Sequence, residues 1–83
     1  RMTESERVRR LRWLCRRGMK ELDILLERFV TARAEALAEG AWPEFEALLA
    51  EEDDRLWDLV QDPGAADGEK YRALLADIRE YHA

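Results

Sequence analysis

The sequence predicts a small all-α protein, a single-domain bundle of five helices. Three observations predict it. Apolar residues recur at spacings of three and four in successive segments, which lines one face of a helix, and no segment alternates apolar with polar as a half-buried strand would. The 83 residues include only two prolines and four glycines, and these fall between the periodic segments rather than inside them. Hydrophobic residues make up 47% and charged residues 40%, a balance that suits a compact helical domain better than a disordered tail. A chain of this length buries only about 60–65% of the surface it exposes when unfolded, so it supports one modest core with little room for an enclosed cofactor cavity. Residues 1–83 are expected to form this one domain, with Met2 the natural start and Arg1 a remnant before it.

The first helix opens at "TESE", residues 3–6, a capping box in which Thr3 reaches the amide of Glu6 and Glu6 reaches back. Val8, Leu11, Leu14 and Cys15 then form one apolar stripe, and Gly18 supplies the left-handed residue that ends the helix. A second helix is expected from about Met19 to Ala38, with Met19, Leu22, Leu25, Leu26, Phe29 and Val30 on its inner face and Gly40 closing it. Trp42-Pro43 opens a short third helix with Pro43 near its first turn and Phe45, Leu48 and Leu49 facing inward. "EEDD", residues 51–54, breaks the chain because adjacent carboxylates repel, and the same acids suit the positive N-terminal end of a fourth helix carrying Leu56, Leu59 and Val60. "DPGAADG", residues 62–68, is a loop, and Tyr71, Leu74, Leu75 and Ile78 mark the last helix. One core is expected to gather Leu22, Leu25, Leu26, Phe29, Leu48, Leu74 and Ile78.

Composition narrows the chemistry. Cys15 is the only cysteine, so no internal disulfide forms and a reducing cytoplasm is the expected setting. His82 is the only histidine and stands one residue from the end, which argues against a Cys/His zinc site and against a Cys-His pair on a rigid scaffold. Carboxylates are plentiful, but no pair is singled out for acid/base work, so a non-catalytic protein is expected. No apolar run approaches the roughly 18–20 residues of a membrane span, and no secretory signal is recognisable.

The formal net charge of −5 hides a division. Residues 1–20 carry eight basic and two acidic side chains, whereas residues 21–83 carry six basic and seventeen acidic. A bipolar chain of this kind docks well against a partner with a matching charge pattern. On the first helix Trp13 falls opposite the apolar stripe, flanked by Arg9, Arg10, Arg16 and Arg17. Either another helix covers Trp13 and the arginines form a solvated face, or Trp13 is an aromatic anchor ringed by arginine, the composition of an interface hot spot. Nucleic acid is disfavoured as the partner, because the acidic remainder of the chain opposes phosphate binding.

"CRRGMKELD", residues 15–23, has two readings as well. In one, Gly18 makes a turn while Arg17 and Glu21 complement two helix dipoles, for about 0.3–1 kcal/mol each. In the other, Arg17 and Glu21 stand together on an exposed corner with bare backbone at Gly18 between them, open to close approach by another protein. The stretch resembles a known family: it contains the RGxxE motif of the SdhE-type flavinylation factors, with a basic helix bearing Trp13 before it and "LDILLERF" after it. "FEALLAEEDDRLWDLV" is similar to that family's LL, acidic turn and L-aromatic segment, and the resemblance spans roughly residues 7–81. The chain departs from the pattern in lacking a proline in the acidic turn, in its single Trp57 on helix four, and in its "EGAWPEF" connector.

The resemblance implies a five-helix assembly factor, cytoplasmic or mitochondrial, that assists covalent attachment of FAD to the flavoprotein subunit of succinate dehydrogenase, with fumarate reductase as an alternative client. It implies no stably bound cofactor of its own, since the FAD is held by the client, whose histidine bonds the flavin 8α-methyl carbon. Arg17, Gly18 and Glu21 would face the client near its flavin, and the anchor reading of the first helix adds Trp13, Arg9 and Arg16 to the expected partner-binding residues. The free chain is expected to be monomeric and not inserted in a membrane. Members of the family have also been described as antitoxin-like proteins opposing a small membrane toxin, which is the competing reading.

Overall fold

The computed structural model describes residues 5–80, and within them the backbone forms six α-helices and one 3₁₀ turn with no strand. They are α1 (Glu6–Leu14), α2 (Lys20–Ala32), α3 (Ala34–Ala38), α4 (Phe45–Leu48), α5 (Asp53–Gln61), the 3₁₀ turn (Pro63–Ala65) and α6 (Glu69–Glu80). The all-α class is as the periodicity predicts. Five helices become six because the expected second helix is interrupted at Arg33, where φ is −114° and ψ 22°. No proline or glycine stands there, and nothing in the local sequence signals the break.

The apolar stripes converge on one core. Val8, Leu11 and Cys15 contribute from α1 and its end, Leu22, Leu26, Phe29 and Val30 from α2, and Leu37 from α3. Phe45, Leu48 and Leu49 join them with Leu56, Leu59 and Val60 of α5 and Leu74, Leu75 and Ile78 of α6. α2 packs against both α1 and α6, and α6 also packs against α4 and α5, so α2 is the element common to both sides of the bundle. Of the seven residues expected in the core, six are buried. Leu25 is only half-buried and packs at the margin.

The helix ends are fixed by specific groups. Thr3 of the expected capping box lies outside the described residues, as do Arg1, Met2 and His82. The observed cap of α1 is Ser5, whose Oγ accepts from the Val8 amide at 3.1 Å. α1 also ends earlier than expected, at Leu14, with the Cys15 amide donating to the carbonyl of Leu11. α3 ends in a Schellman motif: Gly40, at φ 99°, donates to Leu37 and Ala41 donates to Ala36. The guanidinium of Arg7 then takes up the Leu37, Ala41 and Trp42 carbonyls, tying α1 to this turn. Trp42 adopts φ 53° and seats its ring edge-to-face on Phe29 at 5.2 Å, while Phe45 meets Phe29 at 5.4 Å. Pro43 lies in the turn before α4 rather than in its first turn. Glu52 caps α5 with extended backbone, and Asp53 and Asp54 occupy the first turn, as the charge pattern implied.

Candidate functional site

The outer face of α1 carries the most conspicuous surface feature. Its stripe turns Val8 and Leu11 inward, so the opposite face must point to solvent unless another helix covers it. None does. Trp13 is 67% exposed, and with Ile24 it is one of two exposed large hydrophobic side chains among the described residues. It stands between two shallow grooves. One is lined by Arg9, Arg12, Arg16, Asp23 and Glu27 with Cys15 at its floor, the other by Leu14, Arg16, Arg17 and Asp53. Arg9 and Arg16 are exposed on the rim. An indole left in water beside guanidinium groups forgoes about 1.5–3 kcal/mol of burial, which a partner surface can recover.

The chain leaves α1 through Cys15-Arg16-Arg17-Gly18-Met19 and enters α2 at Lys20. Gly18 adopts φ 86°, the left-handed conformation expected of it, but in the middle of the connector rather than at the end of α1. A Cβ built on it would meet nothing within 4 Å, so no internal contact requires glycine here. The backbone at this residue faces open space. Glu21, exposed in the first turn of α2, borders a further groove formed with Ile24, Leu25, Arg28 and Trp57.

Arg17 behaves differently from the expectation. Its side chain does not stand on an exposed corner beside Glu21 but turns inward, with only 11% of its surface accessible. Nε donates to Asp53 Oδ1 at 2.8 Å, one terminal nitrogen donates to the Leu14 and Leu49 carbonyls at 2.9 and 2.7 Å, and the other to Glu51 at 2.6 Å. The reason is the supply of acceptors. The end of α1 and the chain between α4 and α5 present carbonyls that have left their helices, and a planar fork with five donors satisfies several at once. Arg17 therefore bolts the corner to the start of α5.

A second group secures the corner from the other side. Asp23, in α2, accepts from the Arg17 amide at 2.9 Å through Oδ1 and from the Gly18 amide at 3.1 Å through Oδ2. The sequence marks neither Asp23 nor Asp53 as a site residue. The local signal for Asp23 was an acid one turn into a helix that follows a glycine, where a carboxylate can reach back to free amides. Asp53 belongs to the "EEDD" acids expected at a helix N-terminus, but its tie to Arg17 has no local signal, since the two lie 36 residues apart.

Cys15 is buried to 2% exposure, and burial pushes its thiol up to about 12, against the pull of nearby Arg17. A neutral, enclosed thiol is a packing group and a poor nucleophile. Among the described residues no cluster of Cys, Asp and Glu is arranged to hold a metal ion, and no helix is long and apolar enough to cross a membrane.

The chain resembles known proteins over most of its length. The family model described as "Flavinator of succinate dehydrogenase" matches residues 9–82. The protein named FAD assembly factor SdhE from Coxiella burnetii is 33% identical over 79 residues, covering 95% of this chain and 96% of its own. Its namesake from Xylella fastidiosa is 35% identical over 78 residues, covering 94% of this chain and 80% of its own. That from Aliivibrio fischeri is 32% identical over 81 residues, covering 98% and 94%. No solved structure matches the chain.

Proposed function

This chain belongs to the family of flavinators of succinate dehydrogenase, and from that premise we propose that it binds the flavoprotein subunit of that enzyme and promotes covalent attachment of FAD to it. The observation that carries the reading is the pairing of an exposed, arginine-rimmed Trp13 with open backbone at Gly18 on a corner locked from both sides. Trp13 is the anchor that enters a client pocket, Arg9 and Arg16 form its rim, and Glu21 makes a directed polar contact. Gly18 lets client backbone approach closely. Arg17 serves the same surface from beneath, holding it in shape.

The chain acts by positioning and contributes no reacting group. Its one thiol is buried and protonated, and the bond-forming chemistry belongs to the client and the FAD the client holds. Holding two reacting groups in a productive geometry is itself worth several kcal/mol of barrier, which is the contribution a non-catalytic factor can make. The factor works in the cytoplasm as a monomer until it meets its client, binds no FAD stably, and neither inserts in a membrane nor binds nucleic acid. Fumarate reductase is a second client of the same kind.

The test is reconstitution. Flavoprotein subunit lacking covalent flavin is mixed with FAD, with and without this chain, then run under denaturing conditions and read by ultraviolet flavin fluorescence. The expected result is faster and more complete labelling when the chain is present, and equal labelling in both lanes refutes the proposal. Replacing the subunit with that of fumarate reductase checks the second client.

A further inference from the structure

We infer that Asp23 and Asp53, which lie outside the RGxxE stretch, are positioning residues for the docking corner. The inference rests on the proposed function and adds the residues that give the corner its shape. The corner has no regular structure of its own: residues 16–19 lie between two helices and contain a glycine in the left-handed region. A connector of this composition samples many conformations unless its polar groups are held. Here they are held on both sides. The Asp23 carboxylate divides its two oxygens between the amides of Arg17 and Gly18, fixing the planes of the two successive peptides that lead into Gly18. Asp53 engages the Arg17 side chain, whose remaining donors reach carbonyls at the end of α1 and between α4 and α5.

Charge-assisted bonds to an ionised carboxylate are roughly twice as strong as neutral ones. Both carboxylates also border the grooves beside Trp13, so loss of either would change the surface a client meets without removing a buried apolar side chain. The two acids therefore act through the corner. Asp23 sets the direction of the Gly18 backbone, and Asp53 sets the seat of Arg17.

The experiment uses the full chain and three variants, Asp23→Ala, Asp23→Asn and Asp53→Ala, with Val60→Ala as a control that weakens the core away from the corner. Amide hydrogen exchange, melting temperature and affinity for the flavoprotein subunit are measured for each. The expected result for Asp23→Ala is exchange at the Arg17 and Gly18 amides at least ten times faster, with client affinity falling at least tenfold. Asp23→Asn keeps one acceptor oxygen and recovers part of that affinity, while Asp53→Ala lowers affinity with the Asp23 amide bonds still protected. Val60→Ala lowers the melting temperature yet keeps parental affinity for the client at a temperature where it is folded. Parental affinity in Asp23→Ala despite freed amides overturns the inference, as does an affinity loss no greater than that of the Val60→Ala control. If the parent chain itself fails to bind the flavoprotein subunit, the proposed function falls and the inference with it.

Discussion

Replacing Arg17 by alanine separates the structure from the simplest reading of the sequence. A guanidinium that merely complemented a helix dipole would contribute about 0.3–1 kcal/mol. The structure instead gives Arg17 four hydrogen-bonding acceptors, three of them main-chain carbonyls, and a side chain only 11% exposed. Hydrogen bonds to charged groups contribute about 1.5–3 kcal/mol each when enclosed. Asp53 is 46% exposed and the Glu51 contact is open to solvent, so water replaces part of what is lost. A loss of about 2–4 kcal/mol results, set against about 4–12 kcal/mol for a whole domain of this size. The melting temperature should fall by about 8–30 °C, since each kcal/mol moves a domain of this size by about 4–8 °C. Arg17→Lys should recover less than half of the fall, because an ammonium cannot span the same acceptors. Thermal unfolding followed by far-ultraviolet circular dichroism measures both. An Arg17→Ala variant melting within about 2 °C of the parent would refute the clamp and restore Arg17 to the surface role.

Other substitutions follow from the same geometry. Leu26→Ala removes a fully buried side chain from α2 and should cost about 2–5 kcal/mol in urea unfolding, enough to leave the domain marginal. At Gly18 the surroundings are open but φ is 86°, so Gly18→Ala should cost about 1–2 kcal/mol from backbone strain alone. Gly18→Arg should melt near Gly18→Ala yet support far less covalent flavin on the client, measured as gel fluorescence. Cys15→Ala should leave client flavinylation near parental, and the native thiol should resist alkylation at pH 8 until the chain unfolds. Because the folded thiol is raised from 9.0 to about 12, its contribution to stability is complete below pH 9 and declines as pH rises toward 12, which pH-dependent melting would register.

The sequence carried much of the fold because a helical core writes itself locally. Leu22, Leu26, Phe29 and Val30 sit at the spacing that one buried face demands, and Leu74, Leu75 and Ile78 do the same on α6. The break at Arg33 was not legible, since neither proline nor glycine marks it. On the site, the helical wheel put Trp13 opposite the stripe, but whether another helix covered it depended on tertiary packing. The structure leaves it uncovered. The enclosed seat of Arg17 is hidden from the sequence for the same reason. Its acceptors at Leu49, Glu51 and Asp53 are 32 to 36 residues away, and no local pattern announces them. Arg7, which clamps the turn after α3 at similar separation, has no local signal either.

On the proposed function, the corner and the exposed indole form a docking surface rather than a helix turn with an idle aromatic beside it. The most direct test is the rate of covalent FAD attachment to the flavoprotein subunit with the doubly substituted chain Trp13→Ala/Glu21→Ala. Both side chains are exposed, so the pair should melt within a few degrees of the parent. An anchor of hot-spot strength contributes about 2 kcal/mol or more to binding, so attachment at sub-saturating factor should slow by at least about tenfold. Attachment at the parental rate, in a variant that folds as the parent does, would leave the corner a helix turn and Trp13 an idle aromatic.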